Sequence, residues 1–571
     1  MKKQWMVVLA VALLALFATN ALADEDTDEK LKDLRKRIQK LEVAESKDRV
    51  DFGGELRVEA HTITGEVPDY YNGMALQQVL VNSLFFHDNT GNLPLDPGTG
   101  GFDYNAVLGL IGDPDNYGAY MMFLNNLAFA DVGTRMGAML AEMVTMMGGD
   151  PSNPDHIAAA RDAAMAGMLA VPGVFQEGYS TNNAILYTTR LRLDMKAEVS
   201  DQVDFVGRLA MYKPWGASTS VPVFNGQANT MAMDAGTPGV PASEVIRVER
   251  AFFTWKEIGG TPTYLSLGRR PSTGGPPLHF RNDEMRAGTP LGTIIDFQFD
   301  GATLGYNFGD HTVLRACYGL GYESQFGNGS LLKTPNDRLK DASFFGFNVD
   351  AWNSEEMQIQ ATVARAFNVT DGFNGYVIMP NNPVTGQPMP GPIVTRFTPS
   401  ENLGEIDLAS LLVTRRDGPV DYFASASLSS TRPEGNVTTP FGGLMADPFE
   451  VAESQTGTMF YLGARYNLSD EKTKIGVEYN QGSEYWFNFA ASSDDIISPK
   501  TSTRGNVFEG YVTHRITKRF ITKVGYIRYN FDYSGSGWHL GRPKDLNERQ
   551  VLGFPTYTKA DELTLSFMAR F

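Results

Sequence analysis

The chain has one cysteine, Cys317, in 571 residues. That excludes a disulfide framework and a zinc site of several thiolates. It also excludes an attached c-type haem, which needs a cysteine pair beside a histidine. Basic residues are in deficit, 49 Lys+Arg against 66 Asp+Glu, for a formal charge of −17. Nucleic acid wants a basic face, so no nucleic-acid partner is expected. After the first 23 residues no apolar run of about 20 occurs, which excludes helical membrane spans. The seven histidines are scattered. No Ser/His/Asp set and no metal-ligand set can be argued from spacing. No metal and no cofactor are expected.

The start of the chain reads as an export signal. Lys2 and Lys3 precede an apolar run from Met6 to Ala18, and Ala21-Leu22-Ala23 supplies small residues for cleavage before Asp24. Residues 1–23 are therefore expected to be a signal peptide, the alternative being an uncleaved anchor helix. No cysteine follows the run, so a lipoprotein anchor is not expected. Residues 24–48 suggest a short periplasmic helix. Leu31, Leu34, Ile38 and Leu41 recur at spacings of three, four and three, with acidic residues from Asp24 to Asp28 near the helix start. Two readings stand: a coiled coil joining protomers into a homotrimer, or a solvated helix against a neighbour.

From residue 49 to 571 the dominant pattern has period two. Phe52, Gly54, Leu56, Val58 and Ala60 alternate with Gly53, Glu55, Arg57, Glu59 and His61. Leu191, Leu193, Met195 and Ala197 alternate with Arg192, Asp194 and Lys196. Successive side chains of a strand point to opposite faces, so each strand has one apolar and one charged face. Runs of about ten residues suit a tilted membrane-spanning strand rather than a soluble sandwich. Sixteen candidates lie near 50–62, 185–199, 203–213, 244–256, 263–269, 296–306, 312–323, 343–351, 357–367, 403–415, 420–430, 457–467, 474–480, 504–515, 520–533 and 560–571. Connections after even strands are short and those after odd strands long, as in bacterial outer-membrane barrels. Unpaired backbone groups are costly in hydrocarbon, so the sheet must close. The expected fold is all-β: a transmembrane antiparallel barrel of about 16 strands. Both termini are placed in the periplasm. Glu55, Arg57, Arg190, Arg192 and Lys196 are expected to face a wet lumen, and outer-membrane lipid is the partner of the opposite face.

The last strand ends Leu563, Leu565, Phe567, Ala569, Phe571. This resembles the C-terminal signal of Gram-negative outer-membrane barrels, with Leu563, Leu565, Phe567 and Phe571 as the residues that the insertion machinery would read. Ala569 is smaller than the aromatic often found there. The segments Leu267-Gly268-Arg269-Arg270-Pro271-Ser272-Thr273-Gly274-Gly275-Pro276-Pro277 and Gly476-Val477-Glu478-Tyr479-Asn480-Gln481-Gly482-Ser483-Glu484-Tyr485-Trp486 resemble an uncharacterised family of porin-like outer-membrane proteins, and more broadly the Gram-negative porins. The resemblance implies that the loop after the fifth strand, 270–293, folds inward and narrows the pore. Arg269, Arg270, Arg281, Asp283, Glu284 and Arg286 are then the constriction residues. Four Arg against two acids suggest a local anion preference. The competing reading pairs them with carboxylates in a rigid loop wall.

The first long connection, 63–184, holds a helical insert. Met136, Met139, Leu140, Met143 and Met147 share one helical face, and nine of the 23 Met fall between Met121 and Met168. Asn153-Pro154-Asp155 looks like a helix start, followed by Ile157, Ala160, Ala164 and Met168. The insert is expected to plug the barrel, cap it, offer an adaptable greasy surface, or simply pack as two helices. Asp88-Asn89-Thr90-Gly91-Asn92 could hold calcium but reads better as a turn. The function expected is a porin, a channel for passive diffusion of small hydrophilic solutes or ions. The alternatives are a gated or ligand-specific barrel, or a sheath for a partner such as a cytochrome. Enzyme activity is not expected, a barrel-embedded lipase or protease being the remote exception.

Overall fold

The computed structural model describes residues 50–571 except 128, 217–242, 325–331, 334–338, 372–374, 379–393, 398–400, 436–442 and 448–449; before residue 50 it describes 32 and 34–37, which are helical. The expected signal peptide and most of the expected periplasmic helix lie outside the described residues.

Sixteen antiparallel strands close into one barrel. They are β1 Val50–Val67, β2 Tyr179–Ser200, β3 Val203–Pro214, β4 Ser243–Trp255, β5 Thr263–Arg269, β6 Asp300–Asn307, β7 Val313–Tyr322, β8 Ala342–Asn353, β9 Met357–Thr370, β10 Asn402–Asp417, β11 Val420–Pro433, β12 Thr456–Asn467, β13 Thr473–Gly482, β14 Gly505–Arg515, β15 Phe520–Phe531 and β16 Lys559–Arg570. Each strand pairs with its sequence neighbours, and β1 closes the sheet on β16 with Leu56 opposite Ala569. Every expected strand is present. Seven short turns, the start of β1 and the end of β16 share one end of the barrel. The other end carries the long connections.

Alternation explains the wall. Leu462, Tyr479 and Phe508 are cross-strand neighbours on the outside, as are Val524 and Leu565. All are exposed large apolar side chains. Leu563, Phe567 and Phe571 stand on the same outer surface. Such a surface is stable only against lipid, and closure leaves no unpaired sheet edge in it. This is the architecture of an outer-membrane β-barrel.

Two boundaries differ from the sequence pattern. The sixth strand starts at Asp300, not near 296, because Ile294, Ile295, Phe297 and Phe299 are buried inside the barrel as part of the preceding connection. β1 and β2 run on to Val67 and back to Tyr179, paired along their length. Beyond them sits the insert, with helices α1 Gly73–Thr90, α2 Tyr104–Gly112, α3 Tyr117–Asn126, α4 Phe129–Met146 and α5 Pro154–Leu169. α4 and α5 pack on each other through Leu140, Val144 and Ala160, with Met136, Met143, Ile157 and Ala164 around them. The Asn153 side chain caps α5 by accepting from the Asp155 N–H. Asp88 to Gly91 is the end of α1, where Gly91 takes a left-handed conformation (φ 68°) and bonds back to the His87 carbonyl. Tyr70–Asn72 pairs with Phe175–Gln176 and with Val551–Leu552, tying the insert to the last long loop.

A charge on the lipid face should weaken this wall. Leu565→Arg is expected to cost about 2–4 kcal/mol, read as a lower denaturant midpoint of the barrel in lipid vesicles. An unchanged midpoint would mean that this face does not meet lipid.

Candidate functional site

The lumen is occupied by the chain itself. The connection 270–299 (the inner loop after β5) and the connection 483–504 (after β13) both enter it and join. Asp296 donates its N–H to the Phe489 carbonyl at 2.7 Å, and Phe489 donates to Ile294 at 3.0 Å. The Asn488 amide donates to the Thr293 carbonyl at 2.9 Å. Arg281 bonds Asp495 at 2.6 Å. Close approach needs glycine: a Cβ on Gly457 of β12 would sit 2.4 Å from the Trp486 backbone.

One side of this plug is apolar. Leu278, Phe280, Leu291, Ile294 and Phe297 of the first inner loop meet Trp486, Phe487 and Phe489 of the second. They pack on Phe344, Ile406, Leu408, Leu412, Phe423 and Met459 from the inner wall of β8 to β12. Each such side chain contributes about 1.5–3 kcal/mol by burial. The inner wall is therefore not polar all round, as alternation had suggested. The inner apolar set of β10, Ile406, Leu408 and Leu412, packs on protein.

The other side is charged, and wall and loops complement each other. Glu478 of β13 and Glu509 of β14 lie directly opposite one another. The Lys500 ammonium sits between them, bonding Glu509 at 2.5 Å and also Glu478. Arg281 adds a 3.2 Å contact to Glu509. Asp494 is held by Arg57 and, at 2.6 Å, by Arg190, which also bonds Glu55 at 2.6 Å. At the short-turn end the loop tip is anchored by Asp283, which pairs with Lys474 at 2.5 Å, Arg465 at 3.3 Å and Arg515. Arg465 also lies over the Phe280 ring, 4.3 Å from its centroid. Burial opposes charge on Asp283 and Asp494. The surrounding cations outweigh it and hold both carboxyls below their usual range, Asp494 far below.

These contacts settle where the expected constriction residues stand. Arg270, Arg281, Asp283, Glu284 and Arg286 are inside. Arg270 bonds Ser266 and Thr303 and stacks on Phe252. Arg286 bonds Asp350 at 3.0 Å and two carbonyls of its own loop. Arg269 is a correction. It lies opposite Asp300, whose side chain is exposed on the outer face, and pairs with it at 3.7 Å. Arg281 and Arg286 are counter-charges to Asp495 and Asp350 in a packed interior and Arg270 is held by hydroxyls and a ring, which removes the argument for an anion preference. Glu55, Arg57, Arg190 and Arg192 do face inward. The inner face of β2 opens steadily toward the short-turn end: the side chains of Arg190, Arg192 and Asp194 are 1%, 15% and 43% exposed. Lys196 beyond them is exposed. The insert's helices pack among themselves and on the last loop.

Asp494, Asp495, Lys500, Glu478 and Glu509 were missed by sequence reasoning. One signal was available. The run Tyr485 to Ala491 is too apolar for a solvated loop, and the Asp494-Asp495 doublet follows it.

The family model described as "Protein of unknown function (DUF3373)" matches residues 180–571. The chain belongs to that family. No curated protein matches it. Among solved structures it is similar to in-vitro folded OmpT, an outer membrane protein of Vibrio cholerae, at 12% identity and TM-score 0.35, covering 69% of this chain and 92% of that one. It is also similar to the loop L8 deletion mutant of OmpT from Vibrio cholerae, at 12% identity and TM-score 0.36, covering 68% and 93%.

Two predictions follow from the plug's electrostatics. Lys500→Met takes the cation from Glu478, while Glu509 keeps Arg281 at 3.2 Å and Lys523 at 3.4 Å, and should cost about 3–5 kcal/mol in denaturant unfolding. Restoring the charge balance with Glu478→Gln in the same chain should recover much of it. The second concerns Asp296, which receives bonds from the Gly274 N–H and the Ser493 hydroxyl at the junction of the two loops. Burial pushes its carboxyl up to about 6 from 3.8. The folded state thus favours the neutral form, so this group's contribution rises as pH falls through 6 and is complete below 3.8. Asp296→Asn should flatten the stability curve between these limits by up to about 3 kcal/mol. An unchanged curve would deny Asp296 this role.

Proposed function

We propose that this chain is a gated outer-membrane channel of porin type for small hydrophilic solutes or ions, closed in the form described above by its own inner loops. The observation that carries the reading is the charged half of the interior. A purely structural core has no need of these ion pairs, since replacing buried ion pairs by packed hydrocarbon is often neutral or stabilising. Here the wall from β13 round to β4 instead meets the loops through carboxylates and cations, contacts that can be exchanged for water and solute. A cavity of about 40 Å³ lies between the first inner loop and the β6–β9 wall, lined in part by Arg270, Phe299, Cys317 and Thr362. The filled lumen speaks against a sheath around a partner protein.

In this reading the short-turn end, with both chain ends, faces the periplasm and the helical insert lies outside the cell. Outer-membrane lipid and the insertion machinery are the partners of the wall, and the N-terminal helix is the element through which a homotrimer would form.

Planar-bilayer recording tests the proposal. The wild type should be silent or open rarely. Asp283→Asn with Asp494→Asn, which frees the loop tip and the second loop from the wall, should open often and to a larger conductance. In parallel, Cys317 should react slowly with a water-soluble maleimide in the wild type and faster in the double variant. Steady ohmic opening of the wild type would remove the gate. Silence of both proteins would remove the channel.

A further inference from the structure

The helical insert is strongly acidic. Residues 63–184 hold 13 Asp+Glu against two Lys+Arg, Arg135 and Arg161, a formal charge of −11 where the whole chain carries −17. No Lys or Arg stands between Arg57 and Arg135. Both arginines are spent within the insert. Arg135 pairs with Asp88 and lies over the Phe123 ring, and Arg161 stands 3.6 Å from Asp162. Asp113 and Asp115, in the turn that joins α2 to α3, are exposed and have no ion pair among the described residues.

The helices on either side of that turn expose apolar side chains. Tyr120 and Phe123 of α3 pack on Phe85 of α1, at ring-centroid distances of 5.1 and 5.5 Å. That commits one face of α3. Tyr117, Met121 and Leu124 recur at i, i+4 and i+7 on another and are exposed, as are Met122 and, on α2, Leu108. Tyr117 is 62% exposed and Met122 63%. Val107 is the one buried residue of the two helices. A pair of helices meant only for water would carry charge on its open side. Residues 104–126 instead hold no charged residue besides Asp113 and Asp115. Exposed apolar surface rimmed by polar groups marks a site of interaction.

Charge selects the occupant. A second copy would bring its own −11 against the first, and a phosphate-bearing lipid surface would be repelled in the same way. A partner with cations beside an apolar stripe satisfies both features. Its apolar side meets Tyr117, Met121, Met122 and Leu124, and its cations meet Asp113 and Asp115. Thioethers adapt to such a stripe whatever its exact shape. An amphipathic helix presents the stripe and the cations on one element.

We propose that the exposed surface of α2 and α3, with the acidic turn between them, is a docking site for a basic amphipathic helix of another protein. The site stands without the channel reading; only the placing of its partner outside the cell rests on that reading.

The test uses the full-length protein in nanodiscs of zwitterionic lipid, with empty discs as the reference. The probe is a fluorescent amphipathic peptide of about five helical turns, leucine on one face and lysine on the other. Fluorescence anisotropy should show saturable binding above the empty-disc reference. A peptide with glutamate in place of lysine should bind at least about tenfold more weakly. Asp113→Asn with Asp115→Asn should weaken the lysine peptide by about tenfold or more, and added salt should shrink the difference. Asparagine can still accept the Asp115 N–H bond that position 113 receives at 3.0 Å. Leu108→Ser with Met122→Ser, both at exposed positions, should weaken the same peptide by a similar factor. Absence of saturable binding to the wild type would overturn the proposal, and so would binding that neither double variant changes. Equal binding of the glutamate peptide would overturn it in favour of an unselective apolar surface. Self-association of the protein that Leu108→Ser with Met122→Ser abolishes would overturn it in favour of a second copy.

Discussion

Charge buried in a packed interior must find counter-charge, and that requirement organises this protein. Glu478 and Glu509 face each other across two strands. Arg57 and Arg190 crowd together on β1 and β2. The wall meets part of this need itself, through Glu55 on Arg190 at 2.6 Å, Glu59 on Arg57 at 2.9 Å and Lys523 on Glu509 at 3.4 Å, and the inner loops supply the rest. Lys500 answers the first pair and Asp494 the second, and both residues come from one connection. The wall and the inner loops are therefore one electrostatic unit, and the barrel is not a container into which loops happened to fold.

The two halves of the lumen have different chemistry and different consequences. From β8 to β12 the loops pack by hydrocarbon, which exchanges poorly with water and fixes the plug's position. From β13 to β4 they are held by ion pairs and hydrogen bonds, and the wall becomes progressively more open along β2. In the channel we propose, the apolar side would serve as hinge and the polar side as latch, so that one is released without dissolving the other. The Asp283 anchor, with three cations around one carboxylate, is the densest set of these ion pairs at the short-turn end.

The helical insert plays a separate part. Met136 and Met143 pack around the α4–α5 seam, consistent with a flexible thioether filling an irregular gap, whereas Met121, Met122, Met146, Met147 and Met165 are exposed. Its link to the barrel runs through the three short strands around Tyr70–Asn72 and through Arg549, which pairs with Asp69 and lies over the Phe175 ring.

Strand number, order, closure and the outer apolar face were all legible in the residues, because the pleat makes side chains alternate within a few positions and lipid demands one unbroken apolar surface. That Glu55, Arg57, Arg190 and Arg192 point inward followed from the same rule. Arg269 escaped it: it closes a strand whose parity sends it outward to Asp300, while the family pattern drew attention to the doublet it forms with Arg270. The partner of each inner charge was beyond reach. Arg57 and Asp494 are 437 positions apart, and no local pattern relates them. Sequence by itself determined the cylinder, since period two is a local property of extended backbone. Only the tertiary structure decided that the cylinder is filled, by which loops and through which ion pairs, since those contacts depend on distances between segments that only closure brings together.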